Sequence, residues 1–286
     1  MRSIGINYAY WVQDWDVDFV PFIAKAKELG YDQLEVNGST VAIMSPWGRS
    51  RLALEAKDKQ VNLSYGLGLS PQFDISSLDE NIRRSGVAFM TQMIKAVGSM
   101  GGGDIGGVIY ASWPGRLAKG EDKRWYFDQS VASMRSLMSV AEDNDVMLNV
   151  EVVNRYEQFL LNTCAEGLAY IRAVNHPNCG ILLDTFHMNI EEDSLENAIR
   201  MAGLYLHGFH LGETNRKPVG IGRQPWSGIK KALDDIFYEG PLIQESFITP
   251  KGQVGQDLSV WRELVENADL DVLAAESAIF IREKLC

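Results

Sequence analysis

The chain has 286 residues, 46% of them hydrophobic and 23% charged, with a formal net charge of −11 at pH 7. This is ordinary globular composition, with enough apolar residues to bury a core without disulfide or metal staples. The acidic balance argues against nucleic acid or an anionic membrane as partner, and against a sugar phosphate unless a local basic pocket exists.

In chain order, short apolar runs alternate with longer amphipathic stretches, the pattern of βα units around a parallel sheet. Strands are expected near Ile4–Tyr8, Gln33–Asn37, Val61–Leu67, Ile105–Tyr110, Met147–Glu151, Gly180–Asp184, Leu206–His210 and Leu242–Glu245. Between the third and fourth, residues 81–100 place Val87, Met90, Met93, Ile94 and Val97 on one helical stripe. Further helices are expected at 124–143 and 270–285. Gly101-Gly102-Gly103 reads as a left-handed helix C-cap and not as a phosphate loop, because neither GxGxxG nor a Walker pattern is present. Eight strands each followed by a helix predict a (β/α)8 TIM barrel, an α/β fold, as a single domain over residues 1–286. The N-terminus runs straight into the first strand without a leader, and no eighteen consecutive apolar residues occur. The three cysteines, Cys164, Cys179 and Cys286, are widely spaced and read as reduced thiols. A cytoplasmic location, with no membrane partner, follows as the expectation.

The last residues of the final four expected strands are Glu151, Asp184, His210 and Glu245, separated by 33, 26 and 35 positions. In a (β/α)8 barrel the C-terminal strand ends converge on one mouth, where catalytic groups sit. Any single acid at a strand end is more often a helix cap or a surface group. Four in phase with the barrel would instead aim three carboxylates and one imidazole at a common point, and their repulsion calls for a divalent cation. Oxygen-rich ligation with one nitrogen suits Mn²⁺ first, with Mg²⁺ or Co²⁺ as alternatives. Two octahedral positions remain for neighbouring oxygens of a substrate.

Several segments then resemble the D-tagatose 3-epimerase family, which includes the D-psicose 3-epimerases. They are Glu151-Val152-Val153-Asn154-Arg155-Tyr156-Glu157, Leu183-Asp184-Thr185-Phe186-His187-Met188-Asn189-Ile190-Glu191-Glu192, His210-Leu211-Gly212-Glu213-Thr214-Asn215-Arg216 and Gly222-Arg223-Gln224-Pro225-Trp226. Gly5-Ile6-Asn7-Tyr8-Ala9-Tyr10-Trp11 and Trp113-Pro114 look like the same family, so the resemblance spans almost the whole chain. It implies a metal-dependent inversion at carbon 3 of a free ketohexose or ketopentose such as D-tagatose, D-allulose, D-fructose or L-ribulose. It also implies a homodimer or homotetramer. Glu151, Asp184, His210 and Glu245 match the family's metal ligands, and Glu151 and Glu245 match its acid/base pair. Glu157, His187 and Arg216 match residues holding the sugar's oxygens near carbons 1 to 3. Trp113 matches an aromatic wall, while Gly66, Val108 and Ile109 fall where the family lines the pocket. Asn7 stands where relatives usually carry an aromatic residue against the far end of the sugar. Gly66 stands where some carry a larger one. Gln244-Glu245-Ser246-Phe247 departs from a more usual Met-Glu-Pro-Phe while keeping the ligand.

The chemistry follows from the ketone. It acidifies the neighbouring C3 proton, so one carboxylate removes that proton while the other, protonated, returns one to the opposite face. Mutual repulsion would push the two pKa values apart. Read without the resemblance, Arg216 could be a surface partner of Glu213, and Glu157 an ordinary helix N-terminal acid. His187 could be a surface polar group, and Trp11, Trp113 and Trp226 either sugar-stacking or core residues. His207 is expected to face the helices and His176 to sit in a turn. Two rivals stand beside the epimerase. An aldose–ketose isomerase of the xylose type would want a catalytic lysine at a strand end, and none is found. A non-catalytic sugar-binding protein would have no need of both carboxylates.

Overall fold

In the computed structural model, which describes residues 2–286, eight strands follow one another in parallel: β1 (Ile4–Asn7), β2 (Gln33–Asn37), β3 (Asn62–Leu69), β4 (Gly103–Ser112), β5 (Val146–Val152), β6 (Cys179–Asp184), β7 (Leu206–Leu211) and β8 (Leu242–Gln244). Each pairs with its sequence neighbour, and β8 returns to β1 to close the barrel. The strands are rich in Ile, Val and Leu and buried on both faces, as a parallel sheet covered by helices requires. The expected (β/α)8 barrel is the fold observed. Strand boundaries differ from the expected ones by one or two residues at most ends.

The helices are α1 (Val20–Glu28), α2 (Gly38–Ile43), α3 (Pro46–Lys59), α4 (Glu80–Gly98), α5 (Lys123–Asp143), α6 (Cys164–Val174), α7 (Thr185–Glu191), α8 (Leu195–Ala202), α9 (Trp226–Asp235), α10 (Gly252–Asp257) and α11 (Leu270–Leu285). On α4 the buried side is Met90, Met93, Ile94 and Val97, with Val87 partly buried against the core. The C-cap of α4 itself is Ser99 in right-handed conformation, and the positive φ expected of the glycines comes just beyond it, at Gly101, Gly102 and Gly103, where Gly102 N donates back to Val97 O. A capping box of Thr163 and Glu166 starts α6. No helix among the described residues is long and apolar enough to cross a membrane.

Inside the barrel, large side chains face small ones. A Cβ on Gly106 or Gly208 would lie 2.8 or 2.9 Å from the side chain of Leu182, so both glycines make room for this leucine on the axis. Gly107 has φ +117°, and a side chain there would collide with the Leu67 carbonyl. The pairing of β6 with β7 shifts register between Ile181 and Leu182, so that Leu206 and then Gly208 are matched and His207 is the extra residue. This bulge overturns the expectation that His207 faces the helices. Its ring packs over Gly180 beside Asn149, and it borders a small void on the barrel floor together with Asp104. His176 sits in a turn as expected, its Nδ1 accepting from Asn178 N.

Candidate metal centre and active site

Four strand ends carry the polar cluster. Glu151 lies near the end of β5, Asp184 ends β6, His210 is the penultimate residue of β7, and Glu245 follows β8 directly. Each offers one ligand atom, and these atoms lie within 4.8 Å of one another. Local structure fixes them. Asp184 is also the N-cap of α7, where Oδ1 accepts from the backbone N–H of Phe186 and of His187 while Oδ2 is left for the cluster. Among the described residues, Glu151 Oε1 and His210 Nδ1 are buried yet make no hydrogen bond. They lie 3.8 Å apart, and His210 Nδ1 is 3.6 Å from Glu245 Oε1. Orphaned buried acceptors are costly in a native structure. A cation placed among them would satisfy both at once, so the residues present fit a divalent metal.

Arg216 is the resident positive charge. Its Nη1 donates to Asp184 Oδ2 at 3.1 Å and to Glu245 Oε2 at 2.8 Å. The guanidinium lies over Phe186 at 4.4 Å and over Phe247 at 5.2 Å. Its backbone is left-handed, φ 62°, a conformation bulky residues rarely adopt and one found often at ligand sites. Pairing with Glu213 does not occur. Glu213 is fully buried and accepts from the backbone N–H of Gly220, Arg223 and Gln224 and from Trp226 Nε1. It organises the loop between β7 and α9, and that bond accounts for Trp226, which is not a wall of the cavity.

The two glutamates occupy unlike surroundings. Burial, then the neighbouring Glu245, pushes the Glu151 carboxyl well above the usual range. Burial also works on Glu245, but His210 and Arg216 outweigh it and hold that carboxyl well below its ordinary value. Burial would depress the His210 pKa, yet the carboxylates of Glu35 and Glu245 raise it. Without a metal the surroundings thus push the two carboxyls in opposite directions, the kind of asymmetry a two-carboxylate proton transfer uses.

His187 and Glu157 form the next layer. Asn154 donates from its backbone N and from Nδ2 to His187 Nδ1, at 3.3 and 2.7 Å. With Nδ1 accepting, a neutral ring would carry its proton on Nε2, which lies 3.8 Å from Glu151 Oε1 but also 3.4 Å from the donor-only Nη2 of Arg216. Burial first, with Arg216 adding, lowers the His187 pKa and favours this neutral form. Glu157 accepts from Trp113 Nε1 at 3.0 Å and from Asn154 Nδ2 at 2.9 Å. Burial opposes its ionisation, but His187 and Arg216 keep its carboxyl below the usual range. It lies in turns well before α6, so the reading as a helix N-terminal acid falls away.

A cavity of about 430 Å³ opens over the cluster. Glu151, Glu245, His210, Arg216, His187 and Glu157 line it, and so do Trp113, Asn7, Gly66 and Val108. Ile109 does not: it is fully buried in the apolar core, away from the lining. Trp11 is also elsewhere, stacked on Phe22 at 5.9 Å. Phe73 and Phe89, stacked at 4.3 Å, and Phe247 form apolar walls that sequence reasoning missed. Only Phe247, two residues beyond a strand-end ligand, carried a usable signal.

Residues 23–264 match the family model described as xylose isomerase-like TIM barrel. The chain is 41% identical to a D-psicose 3-epimerase from Ruminiclostridium cellulolyticum, over 96% of this chain and 93% of that protein. It is 39% identical to another from Agrobacterium fabrum, over 93% and 92%. The solved structure of D-psicose 3-epimerase with D-tagatose from Clostridium cellulolyticum superposes with a TM-score of 0.97 at 40% identity, covering 99% of each chain.

Proposed function

Because the chain belongs to the xylose isomerase-like TIM barrel family and, within it, to the ketose 3-epimerases, we propose that it inverts carbon 3 of a free ketohexose or ketopentose with Glu151 and Glu245 as the proton-transfer pair. The observation that carries this reading is the clustering of four ligand atoms within 4.8 Å at the mouth of the barrel, with Glu151 and Glu245 both lining the cavity above it. Glu151, Asp184, His210 and Glu245 would hold a divalent ion. Their oxygen-rich set suits Mn²⁺, with Mg²⁺ or Co²⁺ as substitutes. When bound, the ion supplies Lewis-acid polarisation of the ketone and the adjacent hydroxyl.

The chain's own groups do the rest. Glu245, kept ionised by Arg216, accepts the C3 proton of one epimer at a carboxylate oxygen, giving an enediolate. Glu151, whose burial favours the protonated form, returns a proton to the other face, and the roles exchange for the reverse reaction. His187 Nε2–H and the Arg216 guanidinium donate to sugar oxygens, and Glu157 accepts from a hydroxyl. Trp113 and Phe247 cover apolar faces of the ring and keep water from the reacting carbon. The whole chain, residues 1–286, acts as one domain. Exposed Trp47, Leu204, Phe237 and Trp261 offer apolar surface that association into a homodimer or homotetramer would cover. The three free thiols suit the cytoplasm.

The direct test is a panel of D-fructose, D-allulose, D-tagatose and L-ribulose, each incubated with protein and Mn²⁺. The expected product is the C3 epimer of at least one ketose. No C3 epimer from any of them would overturn the reading.

Substrate preference is expected to depend on Asn7. It lines the cavity, yet both ends of its amide are occupied: Oδ1 accepts from Ala9 N and Nδ2 donates to Glu35 Oε1. Asn7→Tyr fills space at that end of the cavity and should change the ratio of kcat/KM between ketohexoses and ketopentoses. A uniform loss, with every ratio unchanged, would show that residue 7 does not meet the sugar.

A further inference from the structure

Glu35, in the middle of β2, is not one of the four clustered ligand residues and does not line the cavity. It is 2% exposed, with its carboxylate inside the barrel. Its carboxylate gathers three contacts. Asn7 Nδ2 donates to Oε1 at 3.0 Å, Ser64 Oγ donates to Oε2 at 3.4 Å, and His210 Nε2 lies 3.3 Å from Oε2.

The third contact bears on the metal site. An imidazole has two ring nitrogens, and the one facing Glu151 and Glu245, Nδ1, makes no hydrogen bond among the described residues. A ring that gives its Nε2 proton to a carboxylate keeps its lone pair on Nδ1, the state in which a histidine ligates. A carboxylate in that position also fixes the plane of the ring and makes the ligating nitrogen more basic. The backbone leaves space for it. A Cβ on Gly66, the β3 residue paired with Asn37, would come within 2.9 Å of Glu35 Oε1 and 3.0 Å of its Cδ. Gly66 therefore answers to Glu35 as well as to the cavity it lines.

We propose that Glu35 is a positioning residue that holds His210 with Nδ1 turned to the metal, and that Asn7 and Ser64 hold Glu35 in turn. The inference rests on the reading of His210 as a metal ligand. A buried carboxylate is expensive unless well paired, and Asn7, Ser64 and His210 all face this one.

Metal affinity decides it. Metal-free wild type, Glu35→Gln and Glu35→Asp are titrated with Mn²⁺ by calorimetry, and circular dichroism and thermal unfolding are recorded on the metal-free proteins. Glu35→Gln keeps the shape and loses the charge, and its Kd for Mn²⁺ should rise about 10- to 100-fold while the metal-free protein stays folded. Should Glu35→Gln fail to fold, Glu35→Asp, which withdraws the carboxylate by one methylene, is expected to show the same direction of change. A rise below tenfold in Glu35→Gln, or an affinity equal to wild type in Glu35→Asp if only that variant folds, overturns the proposal. Failure of wild type itself to bind Mn²⁺ would instead overturn the metal centre, so the two failures are distinguishable.

Discussion

Glu151→Gln and Glu245→Gln are each expected to lower kcat by about 10²- to 10⁴-fold, the span associated with a positioned general acid or base. An amide nitrogen cannot return the C3 proton and an amide oxygen cannot take it, so either substitution breaks the relay in one direction and its microscopic reverse. The two residues should fail for different reasons. Glu245 is the group held ionised by Arg216 at 2.8 Å, and its loss removes the resident base. Glu151 is the group raised by burial, so Gln imitates its protonated shape but cannot part with a proton. Both also belong to the proposed ligand set, which places the loss toward the upper end of the range. Circular dichroism should show an unchanged fold, and kcat from product formation reads the effect. Activity near wild type in either variant would contradict a two-carboxylate mechanism.

Arg216→Ala should have the second largest effect, and its sign depends on the metal. In the absence of an ion Arg216 is the cation paired with Asp184 and Glu245, both buried or nearly so. Removing it strands two carboxylates, and breaking a buried pair from one side typically costs about 3–5 kcal/mol. Thermal unfolding in chelator should therefore show a clear drop in Tm relative to wild type. With Mn²⁺ present, the ion takes over neutralisation of those carboxylates and much of the deficit should disappear, so the Mn²⁺-induced rise in Tm should exceed that of wild type. An equal deficit with and without Mn²⁺ would contradict the assignment of Arg216 and the metal to the same carboxylates.

The strand-end acids were legible because barrel geometry turns sequence spacing into convergence. Once the βα period is seen, Glu151, Asp184, His210 and Glu245 must face one mouth, and their ligand atoms do. Periodicity was less informative where the backbone departs from regular pleating. The β6–β7 bulge turned His207 inward. Ile109 was placed on the pocket by the resemblance, whereas strand alternation lets only one of Val108 and Ile109 face the cavity, and it is Val108. Glu35 was missed for another reason. In Gln33-Leu34-Glu35-Val36-Asn37 a lone acid in a strand carries no pattern, and only the fold brings it to His210, 175 positions away. For Trp226 the sequence left sugar stacking and core packing both open, and the core alternative holds because its Nε1 is taken by Glu213, around which the loop from Gly220 to Gln224 is wrapped.

Anomalous scattering from a crystal loaded with Mn²⁺ tests the centre of this account most directly. The predicted map has one strong peak among Glu151, Asp184, His210 Nδ1 and Glu245 at the mouth of the barrel, with His210 Nε2 still on Glu35. A peak elsewhere, or those four side chains turned away from the ion, would contradict it.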